Sequence, residues 1–162
     1  MNLSNLHRKD IVKMNLKIEN ELKIVLESRS LNESYARVAV AAFVAALDPT
    51  VEEITDIKTA VSEAVTNCIV HAYADTIGKI YITVQILAGR KVKIIIRDKG
   101  RGIEDIDKAM EPLYTTAGGE RAGLGFAVMQ SFCDKIAVRS KPNKGTTITL
   151  FKSISYKVTS NG

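Results

Sequence analysis

TVEEITDIKTAVSEAVTNCIVHAY, residues 50–73, has the pattern of one long helix. Thr50 suits the N-cap, and Glu53 three residues on completes a capping box. Ile54, Ile57, Val61, Ala64, Val65, Cys68, Ile69 and Ala72 recur at helical spacing and form a broad apolar stripe. Glu63 and Asn67 are one turn apart at the edge of that stripe, so a carboxylate and an amide share one face. Thr66 and His71 lie close to them in sequence. Such a pair is common on amphipathic helices, and its meaning depends on what the rest of the chain brings to it.

Around this helix the chain punctuates itself clearly. Residues 1–14 are polar and read as an extension, residues 15–157 as one domain, and residues 158–162 as a tail. Leu22–Glu27 is a first strand that could begin earlier. Ser30 or Asn32 is placed to cap a helix running to Leu47, with Tyr35, Val38, Ala39, Ala42, Phe43 and Ala46 as its apolar face and Arg37 on the opposite, exposed side. Lys79–Leu87 and Lys91–Asp98 alternate and are rich in β-branched residues; Ala88-Gly89-Arg90 makes them a hairpin. Asp105–Met110 has room for a short helix. Glu111–Ala122 carries a Pro, two Gly and two Thr with little apolar pattern, and reads as a mobile loop over a site. Gly123-Leu124-Gly125 opens a helix to about Cys133, and two more strands, Lys135–Ser140 and Thr146–Tyr156, follow. Strands and helices are segregated, which predicts an α+β domain: a two-layer sandwich with a four- or five-stranded, mostly antiparallel mixed sheet and helices on one face.

Composition bounds the function. The chain has 162 residues, 46% apolar and 25% charged, with no Trp. No apolar run reaches the roughly 20 residues that a membrane span needs, so no membrane association is expected. Arg8, Lys9 and Lys13 are not followed by an apolar segment, so no secretory signal is read there. Cys68 and Cys133 are therefore expected as reduced thiols of a cytoplasmic protein. The net charge of +5 is concentrated toward the C-terminus, at Lys135, Arg139, Lys141, Lys144, Lys152 and Lys157. No aromatic interleaving or helix-turn-helix pattern accompanies these cations, so direct nucleic-acid binding is not expected.

Three elements combine into a candidate site. The first is the Glu63/Asn67 pair. The second is Asp98-x-Gly100-x-Gly102 at a strand end, where the Asp can accept an exocyclic amine and the glycines would let a flat ring approach. The third is Arg121-x-Gly123-x-Gly125, opening a helix after the loop; helix N-terminal amides beside an Arg suit phosphate. A Gly145-Thr146-Thr147 step follows on the sheet.

This set resembles the ATP-binding sites of the GHKL superfamily, which includes gyrase, Hsp90, histidine kinases and MutL. The segments NESYARVAVAAFVAALDPT, RDKGRGIEDIDKAMEPLYTT, GLGFAVM and KGTTITL resemble, more narrowly, the anti-sigma F factor (SpoIIAB) family of endospore-forming bacteria. The resemblance implies a homodimeric serine kinase of sporulation that uses ATP and Mg²⁺, phosphorylates the anti-anti-sigma factor SpoIIAA, and holds sigma F inactive. It implies Glu63 as general base and Asn67 as Mg²⁺ ligand. Asp98 would accept the adenine amine, with Gly100, Gly102 and Thr147 around the ring. Arg121, Gly123, Leu124 and Gly125 would hold the phosphates under a lid containing Thr115 and Thr116. Arg37 would lie on the partner surface. Two other readings need different features. A sequestering nucleotide module needs no general base. A sensor histidine kinase needs an upstream phosphoacceptor helix, whereas His7 lies in a polar tail and His71 inside the nucleotide domain.

Overall fold

The computed structural model describes residues 16–111 and 125–157. Five strands, β1 (Ile18–Glu27), β2 (Lys79–Leu87), β3 (Lys91–Arg97), β4 (Lys135–Lys141) and β5 (Gly145–Ser153), form one sheet in the order β1-β2-β3-β5-β4. Every pairing is antiparallel. The β2–β3 hairpin turns where expected, with Gly89 and Arg90 both at positive φ. Strand alternation then sorts the sheet into two faces. Ile80, Ile82, Val84, Val92, Ile94, Ile96, Ile148 and Leu150 are buried on the helix-covered face.

The helices that cover this face are α1 (Ser30–Val44), α2 (Val51–Asn67) and α4 (Gly125–Phe132); a single turn, α3 (Ile106–Ala109), precedes α4. The helix α2 packs between α1 and α4. Its start is fixed as the sequence predicts. Thr50 Oγ1 accepts the Glu53 N–H at 3.1 Å, and Glu53 Oε2 accepts the Thr50 N–H at 2.9 Å. Ile57, Ala60, Val61, Ala64, Val65 and Cys68 are buried along its length. One internal ion pair ties it to the sheet: Lys152 Nζ donates to Asp56 Oδ2 at 2.7 Å and to the Phe132 carbonyl at 2.8 Å. Lys157 pairs with Asp48. Two of the six C-terminal cations are thus neutralised within the chain.

Three expectations need correction. The stretch 50–73 is not α-helical throughout, because Cys68–Ala72 widens into a π turn in which the Tyr73 N–H donates to the Cys68 carbonyl. Neither Ser30 nor Asn32 caps α1; Arg29 stands at the N-cap without a side-chain bond, and Asn32 Nδ2 reaches back to the Glu27 carbonyl. The buried face of α1 is Ala36, Val40, Ala41 and Val44, while Tyr35 and Val38 are exposed. From Tyr35 onward Arg37 is the one charged residue of this helix, so periodicity alone does not fix which side meets the core.

Candidate nucleotide site

At one end of the sheet, α2, the segment after β3 and the start of α4 surround a cavity of about 690 Å³, within the usual range of small-molecule sites. Asn67, Cys68 and His71 line it from α2 and the π turn, Asp98 and Gly102 from the β3 end, Thr146 from β5, and Gly125 and Phe126 from α4. Arg101, Lys108, Glu104 and Asp105 also line it, two cations against two carboxylates.

Asp98 is buried with only 4% of its surface exposed. Burial raises its carboxyl pKa above the ordinary value, and hydrogen bonds from Gly100, Thr146 and Cys68 oppose that rise. Oδ1 takes the Gly100 N–H at 2.9 Å and the Thr146 N–H at 3.2 Å. Oδ2 takes the thiol of Cys68, at 3.6 Å. Both backbone donors therefore fall on one oxygen, and the other keeps capacity for a ligand donor.

The glycines of this motif have a packing role. A Cβ on Gly100 would stand 2.2 Å from the Ala72 carbonyl oxygen, and one on Gly102 would stand 2.0 Å from the Lys141 carbonyl oxygen. Both positions let the loop press against protein backbone. The Ala72 carbonyl in turn accepts the Arg101 N–H at 3.1 Å, which ties the loop to the end of the π turn. Gly102 lines the cavity, whereas Gly100 does not. The threonine of the site is also shifted by one residue. Thr146 faces the cavity, and Thr147 lines a shallow depression on the opposite side, beside Arg97 and Lys144. Strand alternation requires that neighbours point to opposite faces.

Glu63 and Asn67 are both half-buried and converge on the start of α4. A Cβ at Gly125 would stand 3.3 Å from Glu63 Oε2 and 3.3 Å from Asn67 Oδ1. The missing side chain lets both oxygens approach the buried start of α4, and of the two residues only Asn67 also lines the cavity. Glu63 itself stands outside the cavity lining. No group of three or more His, Cys, Asp or Glu side chains among the described residues forms a metal cage. The arrangement suits a hard cation such as Mg²⁺, which takes few protein oxygens and completes its shell with water and phosphate.

Tyr73 and Ser140, which the sequence did not single out, brace this site. Tyr73 Oη accepts the Lys99 N–H at 2.7 Å and donates to the Lys79 carbonyl at 2.8 Å, bracing the loop after β3. Ser140 Oγ accepts the Ile103 N–H at 2.8 Å and lies 2.8 Å from Thr146 Oγ1. His71 has a pKa lowered by burial and by the nearby Arg101, and its Nδ1 is buried with no hydrogen-bond partner among the described residues. Only the in-register pairing of Ser140 with Thr146 had a visible signal, in the KPNKG turn between their strands.

Arg37 is not free in solvent: its Nε donates to Glu33 Oε1 at 3.1 Å, and the side chain is 38% exposed. Thr115, Thr116, Arg121, Gly123 and Leu124, with nearly all of the expected lid, lie outside the described residues, as do the extension 1–14 and the tail 158–162. Both cysteines are free thiols, and burial pushes the Cys133 pKa up to about 11. No helix among the described residues is long and apolar enough to cross a membrane.

Comparison with known proteins agrees with this geometry. The histidine kinase-like ATPase domain family matches residues 26–152. The anti-sigma F factor of Thermoanaerobacter sp. (strain X514) is 56% identical over 136 residues, which cover 83% of this chain and 94% of that protein. The anti-sigma F factor of Anoxybacillus flavithermus is 50% identical over 140 residues, covering 85% of this chain and 95% of that one. Among solved structures, the RsbU and RsbW domains of Rv1364c from Mycobacterium tuberculosis superpose with a TM-score of 0.65 at 20% identity, over 86% of this chain and 34% of that one. The last likeness speaks to the fold. The family match and the identities over most of both chains place this protein in the anti-sigma F factor family, built on the histidine kinase-like ATPase domain.

Proposed function

We propose that the chain is an ATP-dependent serine kinase and anti-sigma factor. It sequesters sigma F and phosphorylates the anti-anti-sigma factor SpoIIAA during sporulation, in the cytoplasm. The observation that carries the catalytic half is the convergence of Glu63 Oε2 and Asn67 Oδ1 on Gly125 at the start of α4, beside a cavity that Asn67, Gly125 and the buried Asp98 line together. ATP fits this polarity. Asp98 Oδ2 accepts the adenine amine, and the triphosphate runs toward Asn67 and the start of α4. Arg121, Gly123 and Leu124, with Thr115 and Thr116, are assigned to the phosphates by the motif resemblance.

Phosphoryl transfer needs positioning and charge stabilisation more than covalent help from the protein. Asn67 would hold Mg²⁺, which would neutralise charge on the phosphates. Glu63 accepts the proton of the attacking serine hydroxyl as its oxygen bonds to the γ-phosphorus and the bond to ADP breaks.

Sequestration without transfer is the competing reading, and Glu63 standing outside the cavity lining favours it. The partner surface is proposed on α1, around Arg37. A homodimer is supported by the exposed stripe of Leu31 (67%), Tyr35 (58%) and Val38 (57%) beside the edge strand β1. Incubation of the purified chain with labelled ATP, Mg²⁺ and SpoIIAA tests the kinase reading. Label should move to a serine of SpoIIAA; ATP binding without any transfer would overturn the kinase and leave the sequestering module.

A further inference from the structure

We propose that Cys68 is a positioning residue for base recognition: its thiol donates to Oδ2 of Asp98 and holds that oxygen toward the adenine amine. The inference rests on the ATP-site reading above, and it adds a residue that the motif does not contain. Cys68 is 2% exposed, yet its side chain borders the cavity. The π turn that begins at Cys68 brings the end of α2 against the loop after β3, where the Arg101 N–H meets the Ala72 carbonyl.

The two carboxylate oxygens divide the work. Oδ1 is committed to the Gly100 and Thr146 amides, which anchor the group to the backbone. Oδ2 accepts from the Cys68 thiol at 3.6 Å. A carboxylate oxygen can accept two donors. The thiol occupies one direction and leaves the other for the exocyclic amine. Without the thiol, the carboxylate keeps its anchor through Oδ1 but loses the contact that sets the direction of Oδ2. The effect is small because a thiol is a weak donor. It is also confined to ligands that present an amine to Oδ2.

The test compares ATP with purine riboside triphosphate, which lacks the 6-amino group, by calorimetry on the full chain and on Cys68→Ala and Cys68→Ser. Cys68→Ala is expected to lose about fivefold in ATP affinity, as for one modest hydrogen bond, with no change for the purine analogue. Cys68→Ser restores a donor and is expected to recover most of the ATP preference. Equal losses for both nucleotides would mean that Cys68 only packs, and would overturn the inference. Unchanged ATP binding in Cys68→Ala would overturn it too. If the unmodified chain binds both nucleotides equally, Asp98 is not the amine acceptor, and the inference fails together with that reading; this outcome is distinguishable because it appears before any substitution.

Discussion

Oδ1 of Asp98 accepts the backbone N–H of Thr146 at 3.2 Å, so the residue that follows β3 is pinned to its neighbour in the sheet, β5. Because Gly100 donates to the same oxygen, the carboxylate is oriented before any ligand arrives. Asp98→Asn keeps an oxygen at Oδ1 for both amides and replaces Oδ2 by an NH₂ group. That group would face the adenine amine donor to donor. ATP affinity should fall on the order of tenfold to a hundredfold, as for loss of a charged hydrogen bond, while the fold persists. GTP should bind poorly to the unmodified chain, since guanine presents a carbonyl where adenine presents its amine. Equal calorimetric affinities for ATP and GTP would refute this role of Asp98.

Gly100 matters for packing, and its substitution should therefore cost stability with or without nucleotide. A methyl group there would overlap the Ala72 carbonyl oxygen, which is 2.2 Å from the Cβ position and already accepts the Arg101 N–H. Gly100→Ala should destabilise the chain by about 1–3 kcal/mol, the usual cost of overpacking. Gly89 offers a control: nothing lies within 4 Å of its Cβ position, and only its φ of +78° opposes a side chain. Gly89→Ala should cost about 1–2 kcal/mol, the left-handed backbone penalty alone. Urea unfolding of both variants checks the contrast. An unshifted midpoint for Gly100→Ala would show that the loop simply moves away.

What the sequence reveals of this site depends on how local the signal is. The capping box of Thr50 and Glu53 and the stripe from Ile57 to Cys68 lie within one helix, so spacing alone exposes them. The hairpin from Lys79 to Arg97 is equally local. The contact between Cys68 and Asp98 joins residues 30 positions apart and needs the sheet to be assembled first. The choice between Thr146 and Thr147 needs the register of β5 against β3, a one-residue matter that flips the side chain to the other face. The orientation of α1 was illegible for another reason, because Tyr35, Val38, Ala36 and Val40 offer apolar surface in every direction.

Arg37 tests whether partner binding is separate from the cavity. Its partner Glu33 also accepts a hydrogen bond from Ser62, the residue before Glu63, so α1 and α2 are joined at this point. Arg37→Ala removes the guanidinium while leaving the bond between Glu33 and Ser62 in place. Sigma F binding in the presence of ATP should weaken at least about tenfold, as expected when an Arg anchor at an interface is truncated. ATP affinity should stay the same, since Arg37 does not border the cavity. Unaffected sigma F binding would remove Arg37 from the partner surface.

Glu63 separates a kinase from a sequestering module. Its Oε2 stands 3.3 Å from the Cβ position of Gly125, close to Asn67 and outside the cavity lining. Glu63→Gln keeps the shape and a hydrogen-bonding amide but cannot accept a proton. It should bind ATP, Mg²⁺ and sigma F as before, yet phosphorylate SpoIIAA about 10²–10⁴-fold more slowly, the range for loss of a general base. Asn67→Asp should behave differently, because a second carboxylate beside Glu63 changes the charge at the cation position and hence nucleotide binding itself. Single-turnover transfer at saturating ATP distinguishes the two variants. Transfer by Glu63→Gln at the wild-type rate would show that Glu63 is not the base, and the catalytic mechanism proposed for this chain would fall.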